Sequence, residues 1–257
     1  MTVEELYQYF DTRIPRTLSC AWDNDGLLCC PDPARQVKRV LVSLDVTDAV
    51  VEEAINGRYD VILAHHPILF RPIKALTPAS TVPRKLLRLA CAGISVIGLH
   101  TRLDAWEGGV NEALAEVLGQ PVVGRFACED ALEGRIITLD KPMALRDFGT
   151  LVCQKLGCPA VNLADAGKPV QRIGLLGGEG GDFLYAARAA GCDTYLTGRA
   201  GYHTMLDAAE EGINLLEAGH FWTELPVCGK LCAMVRAADA DIVCTLHTVP
   251  TLHLAVK

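Results

Sequence analysis

The stretch VKRVLVSLDVTDAVVEEAINGRYDVILAHHP, residues 37–67, decides the fold. Residues 37–46 are rich in β-branched side chains and read as a strand. Residues 48–57 read as a helix, with Asp48 a candidate N-cap and Gly57 a C-terminal stop. Residues 60–64 form the next strand, which runs into two adjacent histidines and a proline. The alternation continues outward: a helix at 82–92 closed by Gly93, a strand at 94–99, and a helix at 110–118 closed by Gly119. Strands alternating with helices of this length build βαβ units and a parallel or mostly parallel sheet. Upstream, Val3, Leu6, Tyr7, Phe10 and Ile14 recur at helical spacing and predict a first helix.

Between residues 120 and 134 the pattern becomes irregular, which places a domain boundary there, with domains at 1–125 and 126–257. The second half repeats the β/α rhythm. Strands are expected at 135–139, 161–163, 172–176, 194–197, 213–217 and 241–246. Helices are expected at 145–156, 183–190, 202–211 and from about 220 through 233.

At 257 residues and 50% hydrophobic composition, the chain can bury substantial cores. Aromatic residues are only 6%, so those cores rest on Leu, Val, Ile and Ala. A net charge of −7 argues against broad nucleic-acid binding by phosphate neutralisation. No apolar run reaches transmembrane length, so no membrane partner is expected. The start, Met1-Thr2-Val3-Glu4-Glu5-Leu6, lacks the basic-then-apolar form of a signal peptide. The eleven cysteines are scattered without a Cys-x-x-Cys pair. In a chain of this size they read as reduced, mostly buried thiols of a cytoplasmic protein.

The chemistry concentrates at strand exits. His65 and His66 follow one strand, and Asp104 follows a second in His100-Thr101-Arg102-Leu103-Asp104. His220 and Glu224 follow a third, four residues apart, so a helix starting there carries both on one face. The C-terminal edge of strands is where open α/β sheets build sites. A single histidine in such a place is most simply structural, but five ligand-type residues at three strand exits point to a metal centre. Imidazoles and carboxylates together suit Zn, Fe, Mn or Ni, and a carboxylate can bridge two ions. Such a pair lowers the pKa of bound water and clamps an anionic oxygen, which is the chemistry of hydrolysis. His100 and His203 are candidate proton shuttles; His247 and His253 read as structural. Gly177-Gly178-Glu179-Gly180-Gly181 matches neither the dinucleotide fingerprint nor the phosphate loop and reads as a tight turn. Trp22-Asp23-Asn24-Asp25-Gly26 is a pocket wall or an ordinary turn, with no spacing that makes Asp23 or Asp25 a metal ligand.

At these residues the chain resembles the NIF-three-like family, whose members are known as GTP cyclohydrolase 1 type 2 homologues. The matching stretches are Trp22-Asp23-Asn24-Asp25-Gly26-Leu27, Ala64-His65-His66-Pro67-Ile68-Leu69-Phe70, and His100-Thr101-Arg102-Leu103-Asp104. They continue with the glycine run ending at Gly181, Thr197-Gly198-Arg199-Ala200-Gly201-Tyr202-His203, and Ala218-Gly219-His220-Phe221-Trp222-Thr223-Glu224. The resemblance implies two interlinked α/β domains with mixed, mostly parallel sheets and a dinuclear metal centre at the domain interface. Carried over by position, His66 and Asp104 hold one ion, His65 and His220 the other, and Glu224 bridges them. It also implies a homohexamer built as a trimer of dimers. Arg102 stands where Asn is usual, and Arg199-Ala200-Gly201 replaces a more usual Asp-containing stretch. Both arginines have the guanidinium fork that suits phosphate.

The function expected is a metal-dependent hydrolase, holding two divalent ions per chain and acting on a nucleotide-like or phosphorylated small molecule. The alternative is a non-catalytic metal-binding scaffold or regulator.

Overall fold

The computed structural model describes residues 1–128 and 132–250. His253 lies outside the described residues. The chain divides into two compact units. Among the described residues, the first comprises Met1–Trp106 and residues 228–250; the second spans Glu107–Val227.

The first unit opens with helix α1 (Val3–Arg13), whose entry is fixed by a capping box: Thr2 Oγ1 accepts from Glu5 N–H while the Glu5 carboxylate accepts from Thr2 N–H. Its five-stranded sheet is built from β1 (Gly26–Cys29), β2 (Arg39–Ser43), β3 (Val61–Ala64), β4 (Ser95–Gly98) and the late strand β11 (Val243–Leu246). The order is β1-β4-β3-β2-β11. β4, β3, β2 and β11 are parallel, and β1 is an antiparallel edge. Helices α2 (Asp48–Asn56) and α3 (Thr81–Cys91) cover one face. There Leu41, Ile62, Ala64 and Val96 pack with Val50, Val51, Ala54, Leu86 and Leu89. The alternate positions Val40, Val42, Val61, Leu63 and Ile97 are also fully buried, as expected for parallel strands buried on both faces. The cap of α2 is Thr47, not Asp48: its Oγ1 accepts from Val50 N–H at 3.2 Å. A short helix, α4 (Thr101–Ala105), follows β4.

The second unit carries a six-stranded sheet of order β5-β6-β8-β9-β10-β7. Its strands are β5 (Val122–Ala127), β6 (Glu133–Met143), β7 (Asn162–Ala164), β8 (Val170–Leu176), β9 (Thr194–Thr197) and β10 (Asn214–Glu217). Only β8, β9 and β10 run parallel; β5, β6 and β7 pair antiparallel, so this sheet is mixed. Two-residue alternation supplies two cores. Ile137, Ile173, Leu175, Leu196 and Leu216 face α5 (Val110–Leu118) and α6 (Leu145–Leu156). Ile136, Leu176, Tyr195 and Leu215 pack in the other core, with α7 (Leu184–Ala189) and α8 (Tyr202–Glu210). Phe148 on α6 is fully buried, and Phe148→Ala would cost about 3–5 kcal/mol.

Helix α9 (His220–Ala238) continues past Pro226 and beyond the expected end at 233. The expected boundary at 125/126 differs from the division found. α5 packs on β6 and β8 and so belongs with the second unit, while β11 returns to hydrogen-bond β2 in the first. Among the described residues, no helix is long and apolar enough to cross a membrane.

Candidate metal centre

In the first unit the ligand-type residues gather where parallel strands end. β3 stops at Ala64 and delivers His65, buried, and His66, half-buried. β4 stops at Gly98 and leads through His100 into α4, which carries Asp104. A side chain at Gly98 would press on the Pro67 backbone, so this glycine lets the two strand exits lie close together. The His65 and His66 rings sit 4.8 Å apart, and each lies within 6 Å of the His100 ring, at 5.5 and 5.7 Å. His65 Nε2 is 3.8 Å from Asp104 Oδ1.

Hydrogen bonds at one ring nitrogen leave the other nitrogen of each histidine suited to a ligand's part. His65 Nδ1 lies 3.0 Å from the Leu99 carbonyl oxygen. A carbonyl only accepts, so Nδ1 carries the proton and Nε2 keeps its lone pair. His66 Nδ1 is 2.8 Å from Asp45 Oδ1, at the exit of β2. A carboxylate behind the ring is the usual arrangement for a metal-binding imidazole: it fixes the tautomer and raises ligand basicity. Asp45 was absent from the sequence-derived set, and its only hint is its place just after a strand.

His100 has a carboxylate partner of its own. Its Nδ1 lies 2.8 Å from Asp23 Oδ1, while Asp23 Oδ2 accepts from Thr101 N–H at 3.0 Å and from Thr101 Oγ1–H at 2.6 Å. Burial pushes the Asp23 carboxyl up, but the hydrogen bonds from His100 and Thr101 outweigh it and bring it down to about 2. The Trp22-to-Gly26 turn is therefore part of the site's support.

Arg102 corrects an expectation. Its side chain is fully buried and cannot meet a substrate phosphate. Nε and Nη2 donate to Asp25 Oδ2 and Oδ1 at 2.8 and 2.9 Å; Nη1 donates to Asp11 Oδ1 at 2.7 Å and to the Ile14 carbonyl at 3.0 Å. Burial opposes its charge, but the bonds to Asp25 and Asp11 outweigh burial and hold the guanidinium firmly protonated. Arg102 is a bidentate clamp within the fold.

In the second unit, α9 begins directly after β10 and presents His220 and Glu224 on one face, with His220 Nε2 3.0 Å from Glu224 Oε2. Glu224 is buried, while the His220 side chain is 38% exposed. The glycine run packs against this turn. Gly178 has φ +67°, and a Cβ there would collide with the Glu224 carboxylate. Gly178 N–H donates to Thr223 Oγ1 at 3.1 Å, and its carbonyl accepts from Arg199 N–H at 2.8 Å. The run is thus a turn, as read from sequence, and one that lets backbone approach a ligand-type carboxylate.

Arg199 is exposed and only loosely paired, with Nη1 3.6 Å from Glu179 Oε2. His203 is exposed; its ring contacts Tyr202 at 5.4 Å, and no described carboxylate orients it. Of the two candidate shuttles, only His100 has the supporting partner. His247 behaves as the structural residue expected, with Nδ1 2.6 Å from Glu53 Oε2.

Comparison with known proteins agrees with this architecture. A family model described as Duf34/NIF3 (NGG1p interacting factor 3) matches residues 1–250. A GTP cyclohydrolase 1 type 2 homolog of Clostridium perfringens is 31% identical over 248 residues, covering 94% of each chain. A NIF3 homolog of Schizosaccharomyces pombe is 34% identical over 244 residues, covering 87% of each. Among solved structures, a Staphylococcus aureus hypothetical protein superposes with a TM-score of 0.90 at 26% identity, covering 100% of this chain and 99% of that one. A Bacillus cereus protein related to NIF3 gives 0.86 at 22% identity over 100% and 99%, a likeness of fold.

Proposed function

The chain belongs to the Duf34/NIF3 family, and from that membership and its ligand chemistry we propose a metal-dependent hydrolase with a dinuclear centre, acting on a nucleotide-like or phosphorylated small molecule. One observation carries the reading: within the first unit the His65 and His66 rings sit 4.8 Å apart and His65 Nε2 lies 3.8 Å from Asp104 Oδ1, three ligand-type side chains gathered at one sheet edge. The donor set fits the ions proposed, since imidazole nitrogen and carboxylate oxygen suit Zn, Fe, Mn or Ni. The Nδ1 contacts of His65 and His66 to Leu99 and Asp45 fit as well, because they leave Nε2 to the metal.

In the full assignment, carried over from the family resemblance, His66 and Asp104 would hold one ion, His65 and His220 would hold the other, and Glu224 would be shared by both. Two divalent ions in such a set supply Lewis acidity and water of lowered pKa. The chain's own groups then do the rest. His100 takes up and returns a proton at Nε2, and Asp23 behind Nδ1 keeps the ring in the tautomer that allows this. Arg199 offers a phosphate ligand: its loose pair with Glu179 is largely solvent-exposed and weak, so an anion can displace it. The names of the Clostridium perfringens relative and its like make a purine nucleotide the first substrate to try. The family reading carries with it a homohexamer, a trimer of dimers, whose solution mass would be six chains.

The test is elemental analysis of the purified protein together with a panel of nucleotides and phosphoesters. Turnover in the wild type that is lost in His100→Asn, with metal content kept, supports the hydrolase. Metal-loaded protein that turns over nothing, and in which His65→Ala only lowers Tm, would make the centre a scaffold instead.

A further inference from the structure

Outside the candidate centre, the feature with the most chemistry is a pair of thiols in the first unit. Cys232 lies on α9 and Cys244 on the edge strand β11, 12 residues apart, with their Sγ atoms 3.2 Å from one another. Both are buried, at 4% and 8% exposure. A disulfide brings sulfurs to about 2.05 Å, so closure asks for roughly 1 Å of approach. Neither sulfur has a part in metal binding or proton transfer as described above.

We propose that Cys232 and Cys244 are a modification site: a reversible intrachain disulfide that ties edge strand β11 to helix α9. Three observations support it. First, the sulfurs are held in contact by regular elements on both sides, so the second thiol need not diffuse to the first. Second, the two thiols are not equivalent. The hydrogen bond from the Cys244 thiol, aided by the Arg236 cation, holds Cys232 below its usual range despite burial. Cys244, as the donor, is pushed up. Arg236 is fixed beside the pair, donating from Nη2 to the Cys244 carbonyl at 3.1 Å. This makes Cys232 the nucleophile and Cys244 the resolving thiol. Third, among the described residues β11 is an edge strand whose ladder runs to β2, so a covalent tie there constrains an edge of the sheet.

With hydrogen peroxide as oxidant, the Cys232 thiolate attacks one peroxide oxygen and the O–O bond breaks, leaving a sulfenic acid and, after protonation, one water. The Cys244 sulfur then attacks the Cys232 sulfur. The S–O bond breaks, and the sulfenic oxygen leaves as a second water with the Cys244 proton. In total two thiols and one peroxide give one disulfide and two waters. The two sulfurs lose two electrons together, and a thiol reductant reverses the change.

The whole protein is treated under native conditions with a modest excess of hydrogen peroxide, blocked with an alkylating agent, and digested with trypsin. Cleavage after Lys230 and Arg236 separates the two cysteines into different peptides, so a bridge appears as one linked species. The expected result is a loss of 2 Da in that pair, reversed by dithiothreitol, and a rise in Tm of a few degrees on oxidation. In Cys244→Ser, Cys232 is expected to stop at sulfenic acid and be labelled by dimedone. The exposed Cys91 and the neighbouring buried Cys228 are internal comparisons. Linkage of Cys232 to Cys228, or both Cys232 and Cys244 remaining reduced while Cys91 oxidises, would overturn the proposal. The wild-type peptide map decides the matter even if the variant folds poorly.

Discussion

Replacing Arg102 separates a structural clamp from a phosphate ligand. Arg102→Met keeps most of the side-chain volume and removes four hydrogen bonds, two to Asp25, one to Asp11 and one to Ile14. The Asp25 side chain is fully buried, so its carboxylate loses both guanidinium bonds where water cannot replace them, keeping the Ser19 hydroxyl at 2.9 Å and the largely exposed Arg16 at 3.9 Å. Removing one partner of a buried ion pair costs about 3–5 kcal/mol. For a chain of this size each kcal/mol moves Tm by about 2–4 °C, so a fall of about 6–20 °C is expected. Arg102→Lys should recover little, because an ammonium cannot span both Asp25 oxygens. Adding Asp25→Asn to Arg102→Met should restore part of the loss, since the two positions are directly coupled. Thermal unfolding by circular dichroism reads all four proteins. The reasoning fails if Arg102→Met melts within about 1 °C of wild type and instead weakens binding of inorganic phosphate.

Asp45→Ala removes the acceptor behind His66 Nδ1, and metal affinity should fall about 10–100-fold with little change in fold, as competition with a chelator would read. Gly178→Ala should cost about 1–2 kcal/mol in backbone strain at φ +67°, and should also lower metal content by pushing on the Glu224 carboxylate; urea unfolding and elemental analysis check the two effects. The Asp23 carboxyl lies near 2 in the folded chain, below its ordinary 3.8. Its contribution is therefore fully present above about pH 4 and lost as pH falls through about 2. Asp23→Asn should remove on the order of 2 kcal/mol at pH 7 and flatten the fall in stability between those values, measured by urea unfolding across pH.

Much of the architecture was legible because it is local. α6 and β9 begin and end at the residues that periodicity and flanking glycine and polar residues predict, Leu145–Leu156 and Thr194–Thr197. β1 and β5 were missed because each is short and interrupted: the first has a register shift between Leu27 and Cys29, the second between Val122 and Gly124. Gly124 and Arg125 also break the β-branched run that marks a strand. The placement of His65, His66, His220 and Glu224 after strand ends was legible because the strands themselves were. The supports behind the histidines were not. Asp23 reaches His100 across 77 residues, and Asp45 reaches His66 across 21, contacts that no local spacing encodes. Arg102 misled for the opposite reason: a charged residue between two site-like positions looks functional until its burial and its partners Asp11 and Asp25 are known.

The central claim is that five side chains from distant parts of the chain hold two ions. Elemental analysis of the wild type beside Glu224→Ala tests it most directly, with circular dichroism to establish that both are folded. Two ions per chain in the wild type, falling to one or fewer in folded Glu224→Ala, is the predicted result. Fewer than one ion per chain in the wild type after loading, or two ions kept in Glu224→Ala, would contradict it.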